Sequence, residues 1–253
     1  MFVAALFEDQ PMLVDVSGSV PKKTPLPSAP RRPLRERDNA TEKQIAQDAK
    51  QTTTITIWSA SGEHILAGTN KGWLNIIATG SCKILYSTRL TNSIVILLRL
   101  TAAGREVVVN SSDRIIRTLH LPDLDKPSLD FDNLRIEVEH KFQDIVNRLS
   151  WNHVAFSSTG EYVVASIYMN HHLYVWERGH GSLEKILEGP REELSVVEVS
   201  ELLWYIISMT EFRHSGTHTS HSLQPVVLIL VECIYGRLLP LKSGRLWHPI
   251  LQK

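Results

Sequence analysis

An all-β fold, a propeller of short antiparallel sheets, is what this sequence predicts, and three observations predict it. One unit occurs three times: "SASGEHILAGTNKGWLNII", "TAAGREVVVNSSDRIIRTL" and "SSTGEYVVASIYMNHHLYVW". Each reads as a small residue, a Gly turn, a short strand, a polar turn and a second strand, with the turns at Gly62, Gly104 and Gly160. The Gly spacings are 42 and 56 residues, and self-similarity at about 40–45 residues is the period of a four-stranded propeller blade. The apolar runs are short and rich in Val and Ile, which suits strands buried on both faces of stacked sheets.

The elements follow in order along the chain. "FVAALFEDQPMLVDVSG" reads as a strand, a tight turn and a second strand, so residues 1–20 are expected to end one blade. Residues 21–50, "PKKTPLPSAPRRPLRERDNATEKQIAQDAK", are Pro-rich and then charged. Such a composition buries little apolar surface, which predicts a mobile loop with a short helix near 42–49. Its Lys22, Lys23, Arg31, Arg32, Arg35 and Arg37 either face solvent or meet an acidic partner.

Residues 51–92 make the next blade, from the inner strand "TITIWSA" to the outer strand "KILYSTRL". Residues 93–145 make another, opened by "VILLRLTA" and carrying an acidic insertion, 122–144, that reads as a loop between blades. Residues 146–198 hold a further blade, from "HVAFSS" to the outer strand "LEKILEG", and the start of the next.

The bulk numbers exclude some function classes. The chain has 253 residues, 43% of them hydrophobic, with zero formal net charge. It is large enough to bury a core, and its net charge gives no general pull toward nucleic acid or membrane. Two cysteines, Cys82 and Cys233, make no metal or disulfide framework and fit a reducing compartment. No apolar run approaches the ~20 residues of a membrane span, and the N-terminus lacks the basic start of a signal peptide.

Chemistry-bearing motifs are sparse. There is no Gly-rich phosphate loop, nucleophile elbow or paired-carboxylate motif, so no catalytic group, cofactor site or small-molecule substrate is expected. His214, His218 and His221 have spacings that can suit a metal, yet they fall in a tail of doubtful origin, and no metal is expected. His171 and His172 read as a turn facing solvent. Asp113, in "SSDRIIR", sits in a tight turn where its carboxylate can accept backbone N–H bonds, a structural role. Trp176 closes a strand and is likewise structural.

Four stretches, "NSSDRIIR", "DIVNRLSWNHVAFSSTGEYVVAS", "HHLYVWE" and "GSLEKILEG", resemble the WD-repeat subunit of the COMPASS histone methyltransferase complex, the retinoblastoma-binding protein 5 family, in its fungal branch. The resemblance covers residues 1–198. It implies a WD40-type β-propeller, here incomplete, with about three and a half blades of a seven-bladed fold. It implies a nuclear, non-catalytic scaffold. Such a subunit binds the other core subunits and supports a catalytic methyltransferase acting on a histone H3 lysine. It also implies a propeller edge facing nucleosomal DNA, where Arg89, Arg114, Arg117 and Arg148 are the candidate contacts. Guanidinium groups position a protein on phosphates without reading sequence. The alternative is a WD-repeat adaptor in another assembly, such as a ubiquitin ligase.

Two departures bear on these expectations. The family's first blades have no counterpart before Met1, which is expected to be an internal methionine. The resemblance also stops at Glu198. Val199-Ser200 can be encoded as an intron start, and His214-Ser215 as an intron end. Val199 to His214 is 16 codons, and two further bases make the segment indivisible by three. Reading on in the shifted frame restores Trp-His-Pro, a strand, a Gly turn and Val-Tyr-Ile-Trp. Residues 199–253 are therefore expected to be retained intron followed by out-of-frame exon rather than native fold. An open arc of blades with such a tail is expected to dissolve poorly, because unclosed sheets expose strand edges.

Overall fold

A computed structural model describes residues 1–4, 10–32, 41–144, 150–157, 159–167, 170–188 and 248–249. The chain divides into two compact units, Met1–Gln143 and Asp144–Lys253.

The first unit holds three antiparallel sheets in which neighbours in sequence are neighbours in space. Strands β1 (Phe2–Ala4), β2 (Met12–Asp15) and β3 (Lys22–Pro25) form the first. Strands β4 (Thr53–Trp58), β5 (His64–Thr69), β6 (Trp73–Ala78) and β7 (Ile84–Arg89) form the second. Strands β8 (Val95–Leu100), β9 (Glu106–Ser111), β10 (Ile116–His120) and β11 (Val138–Phe142) form the third. Consecutive antiparallel order with a different turn at each step is the make-up of a propeller blade.

Successive side chains of a strand point to opposite faces of its sheet, and the second sheet uses both. Ile65, Ala67 and Ile77 pack with Leu13 and Leu26 of the first sheet and its following segment. Leu66, Leu74 and Ile76 pack with Val95, Leu98, Val107, Val109 and Leu119 of the third sheet. Every residue of β5 is consequently buried. This is why its sequence, "HILAGT", shows no polar alternation.

In the second unit, β12 (Trp151–Phe156), β13 (Tyr162–Ile167), β14 (Asn170–Glu177) and β15 (Leu183–Glu188) form a four-stranded antiparallel sheet. A two-residue strand, β16 (His248–Pro249), pairs with β15. Trp151, Tyr174 and Trp176 make one aromatic cluster. Trp151 lies edge-on to both partners, at 5.1 and 5.2 Å between centroids. Trp176 is buried within it.

Two segments expected to be loops carry more regular structure than that, beside the short helix expected near 42–49. In 21–50, Lys22–Pro25 is β3, Leu26 is fully buried, and helix α1 spans Glu42–Ala49. The helix follows from its sequence: Thr41 and Gln44 form a capping box that satisfies two otherwise orphaned backbone donors. A short apolar element between prolines, "PLP", was enough to anchor a segment whose mean composition reads as disordered. In the insertion 122–144, "VEHKF" is the outer strand β11, and Leu124, Ile136 and Phe142 are buried. The boundaries for the blades at 51–92 and 93–145 enclose β4–β7 and β8–β11. Most of the segment 199–253 lies outside the described residues.

Candidate partner-binding surface

The three Gly turns are built alike, residue for residue. Gly62, Gly104 and Gly160 have φ of 77°, 67° and 76°. Each donates its N–H to the carbonyl three residues earlier, on Ser59, Thr101 and Ser157, at 3.1, 2.9 and 2.9 Å. That same Ser or Thr donates its backbone N–H across the turn to the carbonyl of His64, Glu106 or Tyr162. Its hydroxyl accepts the N–H of His64, Glu106 or Tyr162 at 3.1, 3.3 and 3.0 Å. A left-handed residue closes the loop, and Gly adopts it without a Cβ penalty. The turn explains the "small-x-x-Gly" pattern: the small residue is a hydroxyl that caps the following strand.

The next turn differs between blades. In the second sheet it ends on Gly72, with φ of 79°. In the third sheet the equivalent residue is Arg114, with φ of 67°. Asp113, beside it, is the centre of a dense network. Its carboxylate accepts from Ser111 Oγ at 2.8 Å, Thr91 Oγ1 at 2.7 Å and the Ile115 N–H at 3.1 Å. It also accepts two bonds from Arg117, at 3.1 and 2.6 Å. Burial pushes the Asp113 carboxyl up. The donors Arg117, Thr91, Ser111 and Ile115 outweigh that and hold it well below the usual carboxylate range.

The candidate phosphate contacts therefore separate. Arg117 is 5% exposed and its guanidinium is committed to Asp113 and Ser111, so it braces the turn instead of presenting to solvent. Arg114 is exposed at the turn's tip. Arg148 lies outside the described residues, as do His214, His218, His221 and Cys233. Arg89 is exposed at the end of β7 and lines a groove.

That groove is a surface feature that sequence reasoning missed. It has a volume of about 840 Å³ and runs along the outer side of β7. One wall comes from the segment after β3, with Arg31 and Arg32, and the other from the insertion, Phe131–Glu137. Strand β7 ends its sheet, so among the described residues no strand pairs with its outer edge.

The walls are held by named bonds. Ser28 Oγ pairs with Thr53 Oγ1 at 2.9 Å, and Asn75 Nδ2 donates to the Ser28 carbonyl at 3.0 Å. Ser87 Oγ donates to Asn75 Oδ1 at 2.7 Å and accepts the Arg31 N–H at 2.8 Å. The Arg31 guanidinium then donates to the Leu85 carbonyl at 2.8 Å and to Asp132 at 2.7 Å. Arg32 is paired with Asp48 of α1 and lies 5.6 Å over the Trp73 ring. On the far wall the Ile136 N–H donates to the Tyr86 hydroxyl at 3.1 Å. The acidic groups that Arg31 and Arg32 meet thus belong to their own chain. Basic residues in a Pro-rich stretch were visible in sequence; their pairing with Asp48, 16 residues on, and with Asp132, 101 residues on, was not.

Among the described residues, no three His, Cys, Asp or Glu side chains gather to hold a metal ion, and no helix is long and apolar enough to cross a membrane.

No protein-family model matches the chain. Individual proteins do. The Set1 complex component swd1 of Schizosaccharomyces pombe is 44% identical over 198 residues, 78% of this chain and 46% of that protein. The Swd1 β-propeller domain of Myceliophteria thermophila, known from a crystal structure, is 54% identical. It matches with a TM-score of 0.69 over 78% of this chain and 59% of that one. The chain belongs to the Swd1 and retinoblastoma-binding protein 5 family. The COMPASS component SWD1 of Saccharomyces cerevisiae is 36% identical over 163 residues, and the Caenorhabditis elegans retinoblastoma-binding protein homolog 5 is 32% identical over 144. The chain spans less than half the length of these curated relatives. Membership of the Swd1 family makes the four described sheets an incomplete set of WD40-type blades, as the repeats predicted.

Proposed function

We propose that this chain is a non-catalytic scaffold subunit of a nuclear histone H3 lysine methyltransferase complex of the COMPASS type. The observation that carries the reading is the 44% identity to a protein named as a Set1 complex component, extended over 198 residues. The three packed sheets of the first unit support it: they present loops and strand edges, which suits binding several partners at once. The partners are the other core subunits, the catalytic methyltransferase and the nucleosome. The test is affinity purification of the protein, tagged at its own locus, from nuclear extract. Recovery of histone methyltransferase subunits is the expected result. Recovery of ubiquitin-ligase subunits in their place would overturn the reading in favour of an adaptor in another assembly.

Nucleosome contact, in this reading, rests on Arg114 and Arg148. Arg114 stands at an exposed turn tip, where a guanidinium can meet phosphate. Removing one phosphate contact lowers the slope of log affinity against log salt by about 1. Arg114→Ala is expected to do so in nucleosome titrations, with Arg117→Ala acting through stability alone.

A further inference from the structure

The geometry points to the groove beside β7 as a docking site for an extended, acidic peptide segment of a partner protein. Three observations carry this. First, the groove holds two guanidiniums that pair with no carboxylate among the described residues. Arg31 and Arg32 are tied to Asp132 and Asp48. Arg89 and Arg135 also line the groove, both are exposed, and no hydrogen bond or ion pair is formed by either side chain among the described residues. Second, the floor is the outer edge of β7, which no strand pairs among the described residues; of its main-chain groups, the Leu85 carbonyl is already taken by Arg31. An unpaired edge offers main-chain donors and acceptors to an extended peptide. Beyond the Leu85 carbonyl, Tyr86 to Arg89 give a track of roughly 13 Å. Third, the walls supply half-buried apolar surface beside the charge, from Tyr86, Phe131 and Leu134.

The occupant's class follows from the mixture. Asp132, Asn133 and Glu137 share the lining with the arginines. A nucleic acid strand presents phosphate at every step and would meet those carboxylates. A peptide can space its carboxylates to match Arg89 and Arg135, place apolar side chains over Tyr86 and Phe131, and leave Asp132 and Glu137 facing neutral positions. The walls are also preorganised by the Ser28–Asn75–Ser87–Arg31 chain of hydrogen bonds, so little ordering accompanies binding. This inference does not depend on which complex the protein joins.

The experiment is selection of a displayed random-peptide library on the full chain, followed by affinity measurement of the enriched peptides by fluorescence anisotropy. Enriched sequences are expected to carry Asp or Glu at two or more positions among apolar residues. The double variant Arg89→Glu, Arg135→Glu should bind them at least tenfold more weakly, and the Arg89→Lys, Arg135→Lys variant should retain binding. Both variants keep the strand and its core contacts, and matched thermal melts check this. Enrichment of nothing, of sequences without acidic bias, or of peptides indifferent to the charge reversal would overturn the inference. So would a duplex oligonucleotide that binds the wild type, is lost in the double Glu variant and competes with the peptides, since the groove would then be a phosphate track. Failure of the nuclear co-purification leaves these outcomes untouched.

Discussion

Arg114 and Arg117 show how one residue type around a turn takes on different duties by burial. Arg114 and Arg117 are three apart on the chain; one faces water and the other is 5% exposed beside a carboxylate. Removing one partner of a buried pair leaves the other charge without compensation, at about 3–5 kcal/mol. Asp113 keeps some contact with water, so Arg117→Met is expected to cost about 3 kcal/mol, read as a shift of the urea midpoint. The pH dependence has a definite sign. The folded carboxyl titrates well below its unfolded value of 3.8, so the stabilisation is in place above about pH 4. It is lost as pH falls below that, toward the folded pKa. Asp113→Asn should flatten the acid limb of a stability–pH curve between about pH 4 and 2.

Arg114 itself sits at φ 67°, where a side chain costs about 1–2 kcal/mol. Gly72, its counterpart, would bring an added Cβ within 2.2 Å of the Thr91 carbonyl oxygen. The same turn thus demands Gly in one blade and tolerates Arg in the next. Arg114→Gly relieves the strain and loosens the unfolded chain. Its net effect is expected to range from neutral to about 1 kcal/mol of added stability, measured by denaturant titration, while nucleosome affinity falls.

At the scale of elements, the segment after β3 acts as a strap. Leu26 is fully buried between the first and second sheets, with Ile65 and Ile77. Leu26→Ala is expected to destabilise the first unit by about 2–5 kcal/mol, the usual range for a buried Leu truncation. Hydrogen exchange should show the loss concentrated at β5 and β6. A segment that truly floated would show no change. The strap also marks where sequence reading ran out. The blade strands were legible because Val and Ile runs recur behind a Gly turn, and both sides of each turn report on the same sheet. The strap was not legible, because its anchor is one leucine between prolines and its bonds reach Ser87 and Asp132, 56 and 101 residues onward. Strand β11 was masked by the acidic residues around it; only "VEHKF" alternates, and five residues are too few to stand out. The groove is made by the strap, β7 and residues 131–137 together, so no local pattern announced it.

At the scale of the molecule, the repeat period and the resemblance together made the fold class legible, and the 54% identity to a Swd1 propeller domain agrees with it. The tail is a separate matter. If Val199 onward is retained intron, cDNA across codons 190–253 should lack a segment beginning at Val199, and no native peptide should span "SELLWYIISMTEFR". Detection of that peptide in nuclear protein would make the printed tail genuine. A spliced message would instead continue the Swd1-like sequence past Glu198 and supply further strands, which would cover sheet edges that otherwise invite aggregation.

The Arg31–Asp132 bond has a consequence for synthesis. The two residues lie 101 positions apart, and a ribosome adds about 5–20 residues per second. For roughly 5–20 s, then, the strap has emerged from the ribosome while the wall that holds its guanidinium has not yet emerged. Through that interval a basic, proline-rich ribbon hangs from a half-made protein, open to whatever acidic surface passes. Its capture by Ser87 comes first and by Asp132 last, so the finished groove is a late product of translation, closed only once the third sheet is being made.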